Sequence, residues 1–161
     1  MHDVLQFHPD VYILVLTELS VSRGWDSHSI YLVQCGIDLR YDFVREFVNR
    51  ANARETDDEP TLGAKFAPFR MPIIRQAILT LKASAEQHGA QFLVVLSPTV
   101  EDADIAQRRL KGIPELLSSM HIAFIDLSDT FTQIIDRHSL RLSRAKVHPN
   151  PRAHMMICDR L

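Results

Sequence analysis

The residues best suited to chemistry lie near the C-terminus, in the run His148-Pro149-Asn150-Pro151-Arg152-Ala153-His154. A histidine followed at once by proline does not fit a helix easily, because the ring of Pro149 pushes its predecessor toward extended dihedrals. Asn150 is a good N-cap, and Pro151 suits the first helical turn, where its missing N–H costs nothing. The run is therefore expected to present the His148 imidazole on a fixed loop just ahead of a short terminal helix. A group held in that way suits general-base chemistry.

A base needs a partner to activate. Gly24-Trp25-Asp26-Ser27 offers Ser27 as a candidate nucleophile. It lies in a loop well beyond the nearest strand end, whereas a serine nucleophile is held by a sharp turn directly off a strand. Ser20 and Ser97 sit closer to strand ends but match no nucleophile motif, so capping or turn roles fit them better. His8, His28, His88, His121, His138 and His154 show no His-x-x-x-His pair or carboxylate spacing that would assemble a metal site. Surface or helix-end roles are expected for them, and neither a metal nor a cofactor.

The elements that must position these groups alternate. Val11–Leu16 is a continuous apolar run introduced by His8-Pro9-Asp10, and it reads as a strand covered on both faces. A polar loop is expected over Thr17–Ser29. From Asp38, the spacing of Phe43, Phe47 and Ala51 predicts an amphipathic helix. Residues 52–68, with Glu55, Asp57, Asp58, Glu59, Pro60 and Gly63, read as a loop whose acidic cluster is solvated surface. Pro72 opens a longer helix carrying the stripe Ile74, Ile78, Leu81 and Ala85, and Gly89 stops it.

Gln91–Leu96 is a second buried strand, closed by Ser97-Pro98. Thr99 is expected to cap a helix carrying Ile105 and Leu110. A break at Gly112 precedes a short turn of helix with Pro114 at its start and Leu116, Leu117 and Met120 inward. Ile122–Leu127 is a third strand, and Ser128 is expected to cap a helix whose Phe131, Ile134 and Ile135 share a face. The last helix carries Ala153, Ile157 and Leu161 on one side. Strands alternating with helices predict βαβ crossovers and a parallel, doubly wound sheet, with functional groups at the carboxyl ends of its strands.

Bulk properties bound the reading. The chain has 161 residues, the size of one domain spanning 1–161, with 46% hydrophobic and 24% charged residues. A net charge of -2 and a pI near 6.4 leave no electrostatic footprint for nucleic acid. Arg141, Arg144 and Lys146 read as a solvated element end. Cys35 and Cys158 are far apart and do not decide the compartment. No apolar run reaches the ~18 residues of a membrane span, and no signal-peptide pattern is present.

The chain resembles the C-terminal two-thirds of the SGNH (GDSL-type) hydrolase family over most of residues 8–161. Pro9-Asp10-Val11 opening an apolar strand is similar to that family's third block. Gly89-Ala90-Gln91-Phe92-Leu93-Val94-Val95-Leu96-Ser97-Pro98 resembles its passage from helix to strand ending in proline. The run from His148 to His154 resembles its histidine block, with Ala153 where glycine is usual. The resemblance implies a three-layer, flavodoxin-like α/β fold and hydrolysis or transfer of an acyl ester group, with a small acyl ester as substrate.

In that family a serine attacks the ester, a histidine takes its proton, an aspartate orients the histidine, and a glycine and an asparagine help to hold the oxyanion. Carried over residue by residue, the histidine is His148. The aspartate position is Ala145, flanked by Arg144 and Lys146. The glycine and asparagine positions fall at about Thr17 and Leu19. The glycine-aspartate-serine block has no counterpart, since the strand that carries it belongs before His8. The chain is therefore expected to be the C-terminal part of a longer protein, a degenerate copy, or a homodimer pairing through the exposed strand 11–16, where no lysine, proline or glycine protects the edge. Two functions follow: an acyl-ester hydrolase relative impaired in this chain, or a non-catalytic α/β module binding a ligand or partner at the same strand ends. A nucleotide-binding reading lacks a glycine-rich phosphate loop.

Overall fold

The structure, a computed structural model, describes residues 7–22, 32, 35–36, 41–100, 108–143 and 146–161. It is a mixed α/β chain with a parallel three-stranded sheet of β1 (Val11–Leu16), β2 (Gln91–Leu96) and β3 (Ala123–Asp126) in the order β1-β2-β3. The register pairs Val11 with Gln91 and Leu16 with Leu96, and then Leu93 with Ala123 and Leu96 with Asp126. Strand order follows chain order, so the described sheet contains none of the reversal that a doubly wound sheet requires. Two compact units account for the chain: residues 1–19 with 84–161, and residues 20–83.

In the first unit, β2 is the central strand. Val94, Val95 and Leu96 are buried, as an uninterrupted apolar run predicts. The expectation for β1 was different and fails on one face. Val11, Ile13 and Val15 are 44%, 54% and 53% exposed, while Tyr12, Leu14 and Leu16 are half-buried. Among the described residues β1 pairs only with β2, so an all-apolar strand serves as an edge. The stacking of Tyr12 on Phe92, with centroids 5.9 Å apart, packs the more buried face.

Helix α1 (Glu18–Ser22) starts where a loop was expected, immediately beyond β1. In the second unit, α2 (Asp42–Arg50) buries Phe47 and, just beyond it, Ala51 as predicted, with Val44 buried beside them and Phe43 only half-buried. Residues 52–68 are not the predicted open loop. They contain α3 (Glu59–Phe66), followed by a 3₁₀ turn (Ala67–Phe69). Asp58 caps α3 by accepting from Thr61 N at 2.9 Å, and Pro60 sits in the first turn. Leu62 and Phe66 join Phe47, Ala51 and Ile73 in one apolar cluster. The guanidinium of Arg50 lies over the rings of Phe47 and Phe69, at 5.4 and 5.2 Å.

The acidic segment is likewise more than solvated surface. Asp57 Oδ2 accepts from Lys65 Nζ at 2.6 Å and from Arg54 N at 2.7 Å, and Lys65 Nζ also donates to the Asn52 carbonyl at 2.7 Å. The Lys65 ammonium, with the Arg54 N–H second, holds the Asp57 carboxyl below its ordinary 3.8. A lowered folded-state value stabilises the fold above the ordinary carboxylate range, and that contribution is lost as pH falls through the lowered value. Asp57→Asn is therefore expected to lower the thermal midpoint at neutral pH and to match the parent once pH has fallen through that value. A gap of constant size down to strong acid would contradict the tie.

Helix α4 (Arg70–Gln87) ends as predicted at Gly89, whose φ of +76° requires glycine. In the first unit, Gly112 (φ +85°) leads into α5 (Ile113–Ser119), which buries Ile113 and Leu117. The helix expected after Ser128 does not form. Asp126 Oδ1 accepts from Ser128 N at 2.9 Å, and residues 128–133 are turns. Phe131 is still buried, but Ile135, expected on the same face, is fully exposed. A 3₁₀ turn (Arg137–Leu140) then leads into an unanticipated antiparallel hairpin, β4 (Arg141–Ser143) with β5 (Lys146–Pro149), and α6 (Pro151–Cys158) completes the chain.

Candidate functional site

The site is built on the loop that leaves the carboxyl end of β2. Ser97 N donates to the Leu16 carbonyl at 2.9 Å, and Leu127 N to the Leu96 carbonyl at 2.9 Å, so the ladder bonds continue to the strand ends. Two residues beyond Ser97 is Thr99; most of the helix it was expected to cap, including Ile105, lies outside the described residues. The Thr99 N–H donates to both carboxylate oxygens of Glu18, at 3.1 and 3.0 Å, and its hydroxyl bonds to Glu18 Oε1. Glu18 is 0% exposed, the sole buried charged side chain among the described residues. Burying a carboxylate is costly unless donors meet it, and Thr99 supplies two.

Val100, the next residue, is fully buried, and its carbonyl accepts from Arg141 Nε at 3.1 Å. Arg141 is the first residue of β4 and stands opposite Pro149 of β5. Below the hairpin, Val100, Phe131, Leu140 and Ala153 form an apolar cluster flanked by Ile134, Met156 and Ile157. The small Ala153 is 0% exposed, so α6 packs closely there.

His148 lies in β5 of this hairpin, not on the loop that its proline predicted. The two placements share one cause: an extended pre-proline residue serves a short strand as readily as a loop. The Asn150 expectation holds. Its Oδ1 accepts from Ala153 N at 3.1 Å, capping α6. Its N–H donates to the Leu140 carbonyl at 2.8 Å, and its Nδ2 to the carbonyls of Ser139 at 2.8 Å and Arg141 at 3.4 Å. Asn150 thus ties strand, turn and helix into one knot beside His148.

The imidazole of His148 is exposed, and among the described residues no carboxylate or hydroxyl bonds to it. An extended, anchored imidazole can accept or deliver a proton at the surface. Ser27 and its Gly24-Trp25-Asp26 neighbours lie outside the described residues, as do Arg144 and Ala145. Ser97 is half-buried in the loop after β2, and Ser20 lies on α1, so neither stands on the sharp strand-to-helix turn of a nucleophile. His88 bonds the Ser84 carbonyl at 2.8 Å through Nδ1, the helix-end role expected of it. Among the described residues no group of histidine, cysteine or acidic side chains could hold a metal ion. No helix there is long and apolar enough to cross a membrane. A shallow depression lined by Leu110, Lys111, Gly112, Pro114, Glu115 and Ser128 includes neither His148 nor Ser97.

Glu18 escaped the sequence reading, which weighed its neighbours Thr17 and Leu19 instead. The signal was available: a single acid two residues past the end of a six-residue apolar strand, where polar groups gather. No protein-family model, characterised protein or solved structure matches the chain.

Proposed function

We propose that the chain is an SGNH-hydrolase-type α/β domain of three-layer, flavodoxin-like design, whose lineage handles acyl esters with His148 as base. The observation that carries this reading is the Arg141–Val100 bond. It docks the hairpin bearing His148 on the loop leaving the carboxyl end of β2, where open α/β sheets gather their functional groups. The Asn150 knot gives the histidine block a structural logic of its own: strand, cap and helix in consecutive residues.

A second reading, a non-catalytic module binding a ligand or partner at the same end, is favoured by Glu18. It stands between Thr17 and Leu19, the two positions that the resemblance assigns to oxyanion stabilisation. An oxyanion is stabilised by donors aimed at it, and here the Thr99 N–H is committed to a buried carboxylate. The sequence also holds no glycine-aspartate-serine run, and Ala145 replaces the orienting acid. Among the described residues the site is therefore half complete, with a candidate base and no activated nucleophile.

The test is hydrolysis of a p-nitrophenyl short-chain ester by the purified chain, beside His148→Ala. Both are expected to match the buffer rate. Turnover that disappears in His148→Ala would refute the non-catalytic reading and establish a working nucleophile.

A further inference from the structure

We infer that Glu18 is a positioning residue for the His148 hairpin, acting through Thr99 and Val100. The path is short and each step is a defined bond. The carboxylate of Glu18 fixes both the N–H and the hydroxyl of Thr99, so the loop after β2 is pinned to the end of β1. Pinning Thr99 sets the direction of the next carbonyl, that of Val100, which receives Arg141 Nε. Arg141 then opens β4, and its own carbonyl receives Asn150 Nδ2, two residues beyond His148.

The chemistry explains why a carboxylate is used. Thr99 presents two donors on one side, and a carboxylate with two acceptor oxygens can meet both at once. A buried apolar residue at position 18 would leave the Thr99 N–H unsatisfied and the loop free to turn its Val100 carbonyl away from Arg141. Glu18 is thus the far end of a brace whose near end is the hairpin, although about 130 residues separate it from His148. That this brace serves a proton-transfer site rests on the reading of His148 given above; the mechanical coupling does not.

The experiment is a double-mutant cycle read by amide hydrogen exchange at the Asn150 N–H, which bonds the Leu140 carbonyl at the hairpin's base. The variants are Glu18→Gln, Arg141→Met and the pair, with Glu18→Ala alongside if it folds. Glu18→Gln keeps the shape and replaces one acceptor oxygen by a donor amide, so it retains a folded chain in which to read the effect. Each single substitution is expected to speed exchange at Asn150 by roughly tenfold, the order of one lost hydrogen bond. The pair is expected to speed it no further than the larger single, because both cut the same path. The Gln91 N–H, bonded to the Asp10 carbonyl at the opposite end of β2, is expected to change much less.

Effects that multiply in the pair, an equal rise at Gln91, or no change at Asn150 in Glu18→Gln would each overturn the inference. Exchange needs no turnover, so the coupling and the ester assay can fail independently.

Discussion

Replacing Phe131 by alanine is expected to lower stability by about 3–5 kcal/mol, read as a fall in the urea midpoint with little change in slope. Phe131 is 2% exposed and fills the space between Val100, Leu140 and Ala153. Removing the ring deletes the largest buried side chain of that cluster. The turns around Phe131 are held by side chain-to-backbone bonds, such as Thr130 Oγ1 to the Leu127 carbonyl at 2.7 Å, so they cannot collapse freely into the gap. Transfer and cavity costs then add. A loss below about 0.5 kcal/mol, the size of a typical surface change, would show that the ring is not packed.

Leu62→Ala is expected to cost about 2–5 kcal/mol by the same measurement. Leu62 is fully buried among Phe47, Ala51, Phe66 and Ile73. The result bears directly on the segment that reads as a loop in sequence. A leucine on a solvated loop would change stability by no more than about 0.5 kcal/mol on truncation, whereas one on the inward face of α3 carries a full core penalty. A small effect would contradict α3 and its cluster together.

The strands were legible because six-residue apolar runs bounded by proline, glycine and polar residues leave few alternatives. Val11–Leu16 and Gln91–Leu96 fall on the expected residues, and β3 is only a residue shorter at each end. The long helix from Pro72 to Gly89 was legible for the same reason, since both terminators are strong. Helix α3 was not. Its charged approach, Glu55 to Glu59, reads as solvated chain, and only the three-dimensional tie between Asp57 and Lys65 makes it part of a folded corner.

The stretch after β3 misled in the opposite direction. Phe131 and Ile134 have helical spacing, but Asp126 satisfies the Ser128 N–H locally, and turns follow instead of a helix. At the candidate site, the Asn150 cap could be read from chemistry alone. The hairpin could not, because its first strand, Arg141–Ser143, has too few apolar residues to announce itself. For Glu18 the position could be read but its burial could not, because a carboxylate's burial depends on a donor pair 81 positions away.

The pairing of β1 with β2 has a consequence in time. Val11 meets Gln91 and Leu16 meets Leu96, so β1 leaves the ribosome about 80 residues before its partner strand exists. At about 5–20 residues per second that is a wait of roughly 4–16 s. Residues 20–83 are contiguous, and their contacts can form during that interval. The strand Val-Tyr-Ile-Leu-Val-Leu cannot, and it remains a short, uncharged, proline-free segment of high β-propensity awaiting closure of a long loop. Among the described strands β1 thus waits longest for its partner, and the nascent chain is most exposed to self-association before β2 has been made.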